Sequence, residues 1–164
     1  GYGENGDIER AVNLLHRLKV YLERNYMGNR IKATMYSTIL PNLVQYLGLG
    51  GYYEHALKIA EETIDIFKEI GKTYYVSLMH YDIAWIYSQM DKEKYKQKIK
   101  DEYLISLFAD LSNKNYSSML ETIQYLQSEE DDLMDSPSLR HLLDVYCRMA
   151  PEYYQKLKLP DRQP

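Results

Sequence analysis

A chain of 164 residues, 45% of them hydrophobic, is enough for one domain with a sizeable core, and its eight glycines and five prolines are too few for a fold of many short strands. The net charge of -4, with basic residues interleaved among acids as in Lys92-Glu93-Lys94 and Lys100-Asp101-Glu102, argues against strong binding of nucleic-acid phosphates by this segment itself. One cysteine, Cys147, excludes an internal disulfide, no apolar run reaches the roughly twenty residues of a membrane helix, and no charged-then-apolar leader precedes the first helix. The expectation is an all-α, cytoplasmic protein in a single domain spanning residues 1–164.

Asp7 suits the cap of a first helix whose apolar stripe runs Ile8, Ala11/Val12, Leu15, Leu18 and Leu22, ended by Asn25 to Asn29 with Gly28. A second helix is predicted from about Ile31 to Leu47 on Met35, Ile39, Leu43 and Leu47. It closes at Gly48-Leu49-Gly50-Gly51, where glycine can take the left-handed backbone that ends a helix. The return helix, about Tyr53 to Ile70, buries Ala56/Leu57, Ala60, Ile64 and Phe67 and shows Glu54, Lys58, Glu61 and Asp65 to solvent; Gly71 stops it. Helices Thr73 to Met90 and Lys92 to about Leu111 follow, the latter with Tyr95, Ile99, Tyr103 and Leu107 on its stripe. Two shorter helices, Tyr116 to Gln127 and Pro137 to Met149, flank the polar loop Ser128-Glu129-Glu130-Asp131-Asp132. Ser136 caps the second of them, with Pro137 at its first position. Pro151 interrupts the last stretch, and Leu159 to Pro164 reads as a frayed tail.

The hairpin Ser37 to Ala60, STILPNLVQYLGLGGYYEHALKIA, returns in similar form roughly forty residues later as Tyr81-Asp82-Ile83-Ala84-Trp85-Ile86-Tyr87. Self-similarity at that period marks stacked helix pairs, each burying its apolar face against its neighbours. Leu40, Leu43, Leu47, Gly51, Tyr53, Ala56 and Ala60 resemble the interlocking large and small positions of a tetratricopeptide (TPR-like) repeat. The second hairpin departs from the first, carrying Lys96 and Gln97 where the first has Ala56 and Leu57. The fold class expected is a right-handed α-solenoid of antiparallel TPR-like hairpins.

The stretch Tyr53-Glu54-His55-Ala56-Leu57-Lys58-Ile59-Ala60 through Asp82-Ile83-Ala84-Trp85-Ile86-Tyr87 looks like the C-terminal repeat domain of Firmicutes transcription regulators with an N-terminal helix-turn-helix, similar to peptide-sensing quorum regulators. The resemblance implies a short peptide on the concave side, a homodimer, and DNA contact only through a domain preceding residue 1. The abrupt opening Gly1-Tyr2-Gly3 is consistent with that arrangement.

In such a stack the first helix of each pair lines the inner curve. The candidates for a ligand- or peptide-binding wall are Thr38, Asn42 and Gln45 on the second helix, and Tyr81, Asp82 and Trp85, flanked by Leu78 and Gln89, on the fourth. Aligning the hairpins sets Asn42 level with Asp82. In the peptide-sensing relatives inner-wall asparagines hold peptide main chain, since one amide both donates and accepts. Asn42 matches that role, whereas Asp82, which only accepts when ionised, suits an amine or a row of N–H groups. Each residue has a plainer reading beside this one. Asn42 follows Pro41 and can satisfy the carbonyl freed near Ser37, Trp85 can be core, Asp82 can pair with a lysine or arginine, and any one of 18 tyrosines can be a wedge between helices.

Catalytic signals are weak. His16, His55, His80 and His141 lie on different predicted helices without i, i+4 spacing, Glu129 to Asp132 lacks the pattern of a calcium loop, and the glycines at 48 to 51 lack a phosphate-binding lysine and a preceding strand. Neither an enzyme nor a cofactor or metal is expected. Two readings remain: an effector-binding and dimerisation module of a regulator, or a TPR-like protein-protein interaction scaffold without a switch.

Overall fold

Several helix ends in this chain fall where a side chain or a left-handed residue captures a backbone group. The computed structural model describes residues 5–25 and 29–159, so most of the predicted break at Asn25 to Asn29 and all but Leu159 of the predicted tail lie outside the described residues. The described residues form α1 (Asn5–Asn25), α2 (Asn29–Leu49), α3 (Tyr53–Glu69), α4 (Tyr74–Asp91), α5 (Lys96–Ser112), α6 (Tyr116–Ser128), a short 3₁₀ turn (Asp132–Asp135), α7 (Pro137–Met149) and α8 (Pro151–Gln155), with no strand among them. None of these helices is long and apolar enough to cross a membrane.

Gly51 and Gly71 reverse the chain after α2 and α3 with φ of 83° and 77°, and the amides of Tyr52 and Lys72 close back onto the carbonyls of Leu47 and Phe67 at 2.9 and 2.8 Å. The same reversal after α5 and α6 is made by Lys114 (φ 59°) and Glu130 (φ 49°), with no glycine to announce it. At Ser136 the expected cap forms, its hydroxyl accepting from the Leu139 amide at 3.1 Å ahead of Pro137. Between α4 and α5 the prediction is corrected. The Asp91 carboxylate accepts from the Lys94 amide at 3.0 Å and starts a turn, so α5 begins at Lys96 rather than Lys92.

Two predicted stripes also shift. On α2, Met35 is 39% exposed and Tyr36 takes its place in the core, which continues through Ile39/Leu40, Leu43/Val44 and Leu47. A row taken in steps of four drifts about 40° per step on a helix of 3.6 residues per turn, so the buried row must alternate steps of three and four. Likewise on α1, Leu18 is exposed while Ile8, Val12 and Leu22 are buried.

From α1 to α6, and again at α7 and α8, sequential helices pack on one another, the 3₁₀ turn touches both α6 and α7, and α2 also meets α4, α5 meets α7, and α6 meets α8. The apolar interior divides in two. Buried residues of α1 to α4, centred on Leu43, Ala56, Ala60, Phe67 and Met79, form one cluster, and those from Ala84 through α5 to α8, centred on Leu107, Met119, Ile123 and Tyr146, form the other. Fully burying a side chain the size of Phe67 or Leu43 contributes about 1.5–3 kcal/mol.

Ala60 is fully buried on α3, the helix packed between α2 and α4. Ala60→Leu should overpack this contact and lower stability by about 1–3 kcal/mol in urea unfolding. An unchanged midpoint would show that this face of α3 has spare room.

Candidate functional site

On α2 the row Thr38, Asn42, Gln45 and Leu49 follows one flank of the buried stripe. On α4 the row Leu78, Tyr81/Asp82, Trp85 and Gln89 does the same. Where the two helices approach, Gly48 is buried, and a Cβ built there would stand 3.1 Å from the Trp85 ring and 3.4 Å from Ile86. Glycine therefore lets the Trp85 ring lie against the α2 backbone. Beside that contact opens a hollow of about 220 Å³ lined by Val44, Gln45, Leu49, Tyr81, Asp82, Trp85 and Ile86.

Four of the six expected wall residues, Gln45, Tyr81, Asp82 and Trp85, thus share one cavity. Thr38 and Asn42 lie on the same helix, exposed and N-terminal to it, and are not among its lining. Gln45, not Asn42, shares the hollow with Asp82. The Asn42 amide donates to the Thr38 carbonyl at 2.7 Å, one carbonyl along from the one at Ser37 that Pro41 leaves free. The Thr38 hydroxyl points to the Thr34 carbonyl at 3.4 Å. Leu78 and Gln89 are exposed at either end of the α4 row.

The electrostatics of the hollow centre on Asp82. Burial pushes its carboxyl up from 3.8 to about 7. Trp85 is half-buried against the first core cluster, so it belongs both to packing and to the cavity wall. Tyr81 is raised to about 12, chiefly by burial, then by Tyr125 and Asp82. Its ring packs edge-on against Tyr103 at 5.6 Å and Tyr125 at 6.1 Å, tying the cavity wall to α5 and α6.

A second polar feature lies on the opposite side of α4. His80 Nδ1 sits 2.5 Å from Glu102 of α5, with Lys98 at 3.7 Å from the same carboxylate, and the Ser77 and Ser106 hydroxyls each donate to the other residue's carbonyl, at 3.0 and 2.9 Å. Further along, burial raises the Asp110 carboxyl, and hydrogen bonds from Ser118 at 3.1 Å and Asn115 at 3.4 Å draw it back. Glu102, Ser106 and Asp110 recur every four residues on α5. That spacing was visible beforehand, but the run Lys100-Asp101-Glu102 reads as a solvated face, and only the approach of α4 buries it.

His16 and His55, on α1 and α3, meet with ring centroids 4.8 Å apart, a pairing no local spacing encodes. Burial, then His55 and Lys19, hold the His16 imidazole below its ordinary value. Among the described residues no group of three or more His, Cys, Asp or Glu is arranged to hold a metal ion.

On α7, Leu139, Leu142, Leu143 and Tyr146 are buried in the second core cluster, and Val145 is half-buried. Exposed apolar surface nearby comes from α5, where Phe108 is 64% and Ile105 44% exposed. They border a hollow of about 460 Å³ between α5 and α7, also lined by Leu104, Leu142, Val145 and His141.

Comparison with models of known families, with curated proteins and with solved structures finds no match to this chain.

A carboxyl whose folded value lies above its unfolded one binds more protons in the native state, so stability falls as pH rises between the two values. For Asp82 that window runs from about 4 to about 7. Asp82→Asn should therefore raise the melting temperature at pH 8, with the gain vanishing near pH 4. An equal gain at both pH values would show that burial does not perturb this carboxyl.

Proposed function

We propose that this chain is an effector-binding module of a transcription regulator, built as a right-handed solenoid of antiparallel TPR-like hairpins with a short peptide on its inner wall. Support for the solenoid comes from the contacts between alternate helices, α2 with α4, α5 with α7 and α6 with α8, which stacked hairpins require and a simple chain of neighbours does not. The observation that carries the functional reading is the hollow in which Gln45, Tyr81, Asp82 and Trp85 converge between two candidate inner helices. At about 220 Å³ it is smaller than the 300 Å³ or so at the low end of small-molecule sites, so it suits one end or one side chain of a longer ligand. Thr38 and Asn42 extend the same wall along α2, where exposed amide and hydroxyl groups meet a peptide main chain.

In this reading the peptide biases an equilibrium between curvatures of the stack, and a DNA-binding domain outside this chain reads the result. The homodimer implied by the resemblance would use the α5–α7 surface. There a projecting Phe108 stands beside an apolar hollow free of Lys, Arg, Asp and Glu side chains, the self-complementary combination that a two-fold interface needs. Such a module is cytoplasmic.

Peptides selected from a random library on the immobilised domain should shift the fluorescence of Trp85, the single tryptophan, and compete with one another for one site. Gln45→Trp, which fills the hollow, should abolish that competition. Selected peptides that bind without touching Trp85 fluorescence would move the site elsewhere. Phe108→Glu should convert a sedimenting dimer to monomer without lowering the melting temperature. A chain that sediments as a monomer before substitution would remove the dimer from the proposal.

A further inference from the structure

We propose that the α2–α4 hollow recognises an alkylammonium group, presented by a peptide N-terminus or a lysine side chain, with Asp82 as its counter-charge and Trp85 and Tyr81 as aromatic walls. The inference deepens the peptide-binding reading above and rests on it.

Among the described residues the two buried acids, Glu102 and Asp110, are both partnered. Glu102 is met by His80 and Lys98, and Asp110 receives hydrogen bonds from Ser118 at 3.1 Å and Asn115 at 3.4 Å. Among the described residues no hydrogen bond or ion pair reaches the Asp82 carboxylate, although burial alone raises its pKa to about 7. Asp82 is half-buried, its oxygens open to the hollow, while the apolar surroundings disfavour its charge, and a leucine or glutamine would fill the position without that penalty. Its place explains what the acid is for: it lines an open cavity whose remaining walls are Val44, Gln45, Leu49, Ile86 and two aromatic rings.

The cavity chemistry selects the ligand. A carboxylate repels anions, and a single acid with one neutral amide and a phenol beside it is too little for a metal ion. A compact ammonium fits on every count, because its charge meets Asp82, its donors reach the Asp82 and Gln45 oxygens, and an indole and a phenol ring attract cations. Alkyl carbon attached to it meets Val44, Leu49 and Ile86. No fixed cation competes. The lining contributed by α2 is Val44, Gln45 and Leu49, all uncharged. On α4, His80 is turned to Glu102 and Asp91 lies beyond the far end of the row, while Tyr81, with Tyr125 of α6 behind it, keeps its phenol protonated through neutral pH.

Trp85 fluorescence of the full chain tests this with three probes: leucyl-leucinamide, its N-acetyl derivative, and N-acetyl-lysine methylamide. The ammonium-bearing probes should bind at about pH 7.5, where Asp82 is mostly ionised and the α-amino group still mostly protonated, and their affinity should fall about tenfold or more at about pH 5.5, where Asp82 is protonated. The N-acetyl dipeptide should bind at least about tenfold more weakly than its free form at the higher pH. Tighter binding of the free dipeptide names a peptide N-terminus as the natural head group, and tighter binding of the lysine probe names a side chain. Asp82→Asn should erase both the preference for ammonium and the pH dependence. Should that variant not fold, the wild-type pH profile and the free-against-acetylated ratio decide alone. Equal binding of all three probes, no binding of any, or an ammonium preference that survives Asp82→Asn would overturn the inference. Library peptides still competing at the hollow in that event would leave the peptide-binding reading standing without its ammonium head.

Discussion

Everything in this structure depends on α4 being buried from two sides. Val76, Met79, Ile83 and Ile86 enter the core shared with α1 to α3, while Ala84 enters the core shared with α5 to α8, with Tyr81 and Tyr87 packed around it. A helix apolar around most of its circumference has no solvent face to settle on, so it becomes the wall between two interiors. Small side chains set how closely its neighbours approach. Gly48 on α2 and Ser77 and Ala84 on α4 let backbones and rings come near, and without them the two cores could not share one helix.

The polar groups carried into that double burial are handled in two different ways. Toward α5, Ser77, His80, Glu102 and Ser106 satisfy one another, and Asp110 is answered by its own neighbours. Such a seam adds little net stability over apolar residues of the same shape, but a slip of α5 by one turn would leave each member unpaired, so it fixes register. Toward α2, Asp82 has no such answer. It stays half-buried instead, its carboxylate lining the hollow.

The tyrosines connect the two sides. Tyr81, Tyr103 and Tyr125 pack ring to ring across α4, α5 and α6, and burial raises all three. Tyr81, on the cavity wall, is therefore part of a continuous aromatic contact reaching α6. Packed rings transmit displacement because interiors are close-packed and incompressible.

Much of the helical layout was legible beforehand, because helix periodicity, Ser136-Pro137 and the glycines at 51 and 71 are local signals acting over a few residues. Where a lysine or glutamate takes the left-handed turn, at Lys114 and Glu130, or where Asp91 captures the Lys94 amide, boundaries were less marked, since those choices rest on the surrounding packing. Candidate wall residues on α2 and α4 could be named from spacing along each helix, but spacing along one helix says nothing of how far its neighbour slides past it. That offset set Gln45 rather than Asn42 beside Asp82, left Thr38 and Asn42 outside the hollow, paired His80 with Glu102 and His16 with His55, and buried Leu139, Leu142 and Leu143. By itself, then, the sequence determined the helices and the faces they bury, which follow from neighbours three and four residues apart. Only the tertiary structure decided which faces meet and which carboxylate stays without a partner, because those depend on contacts between residues far apart in the chain.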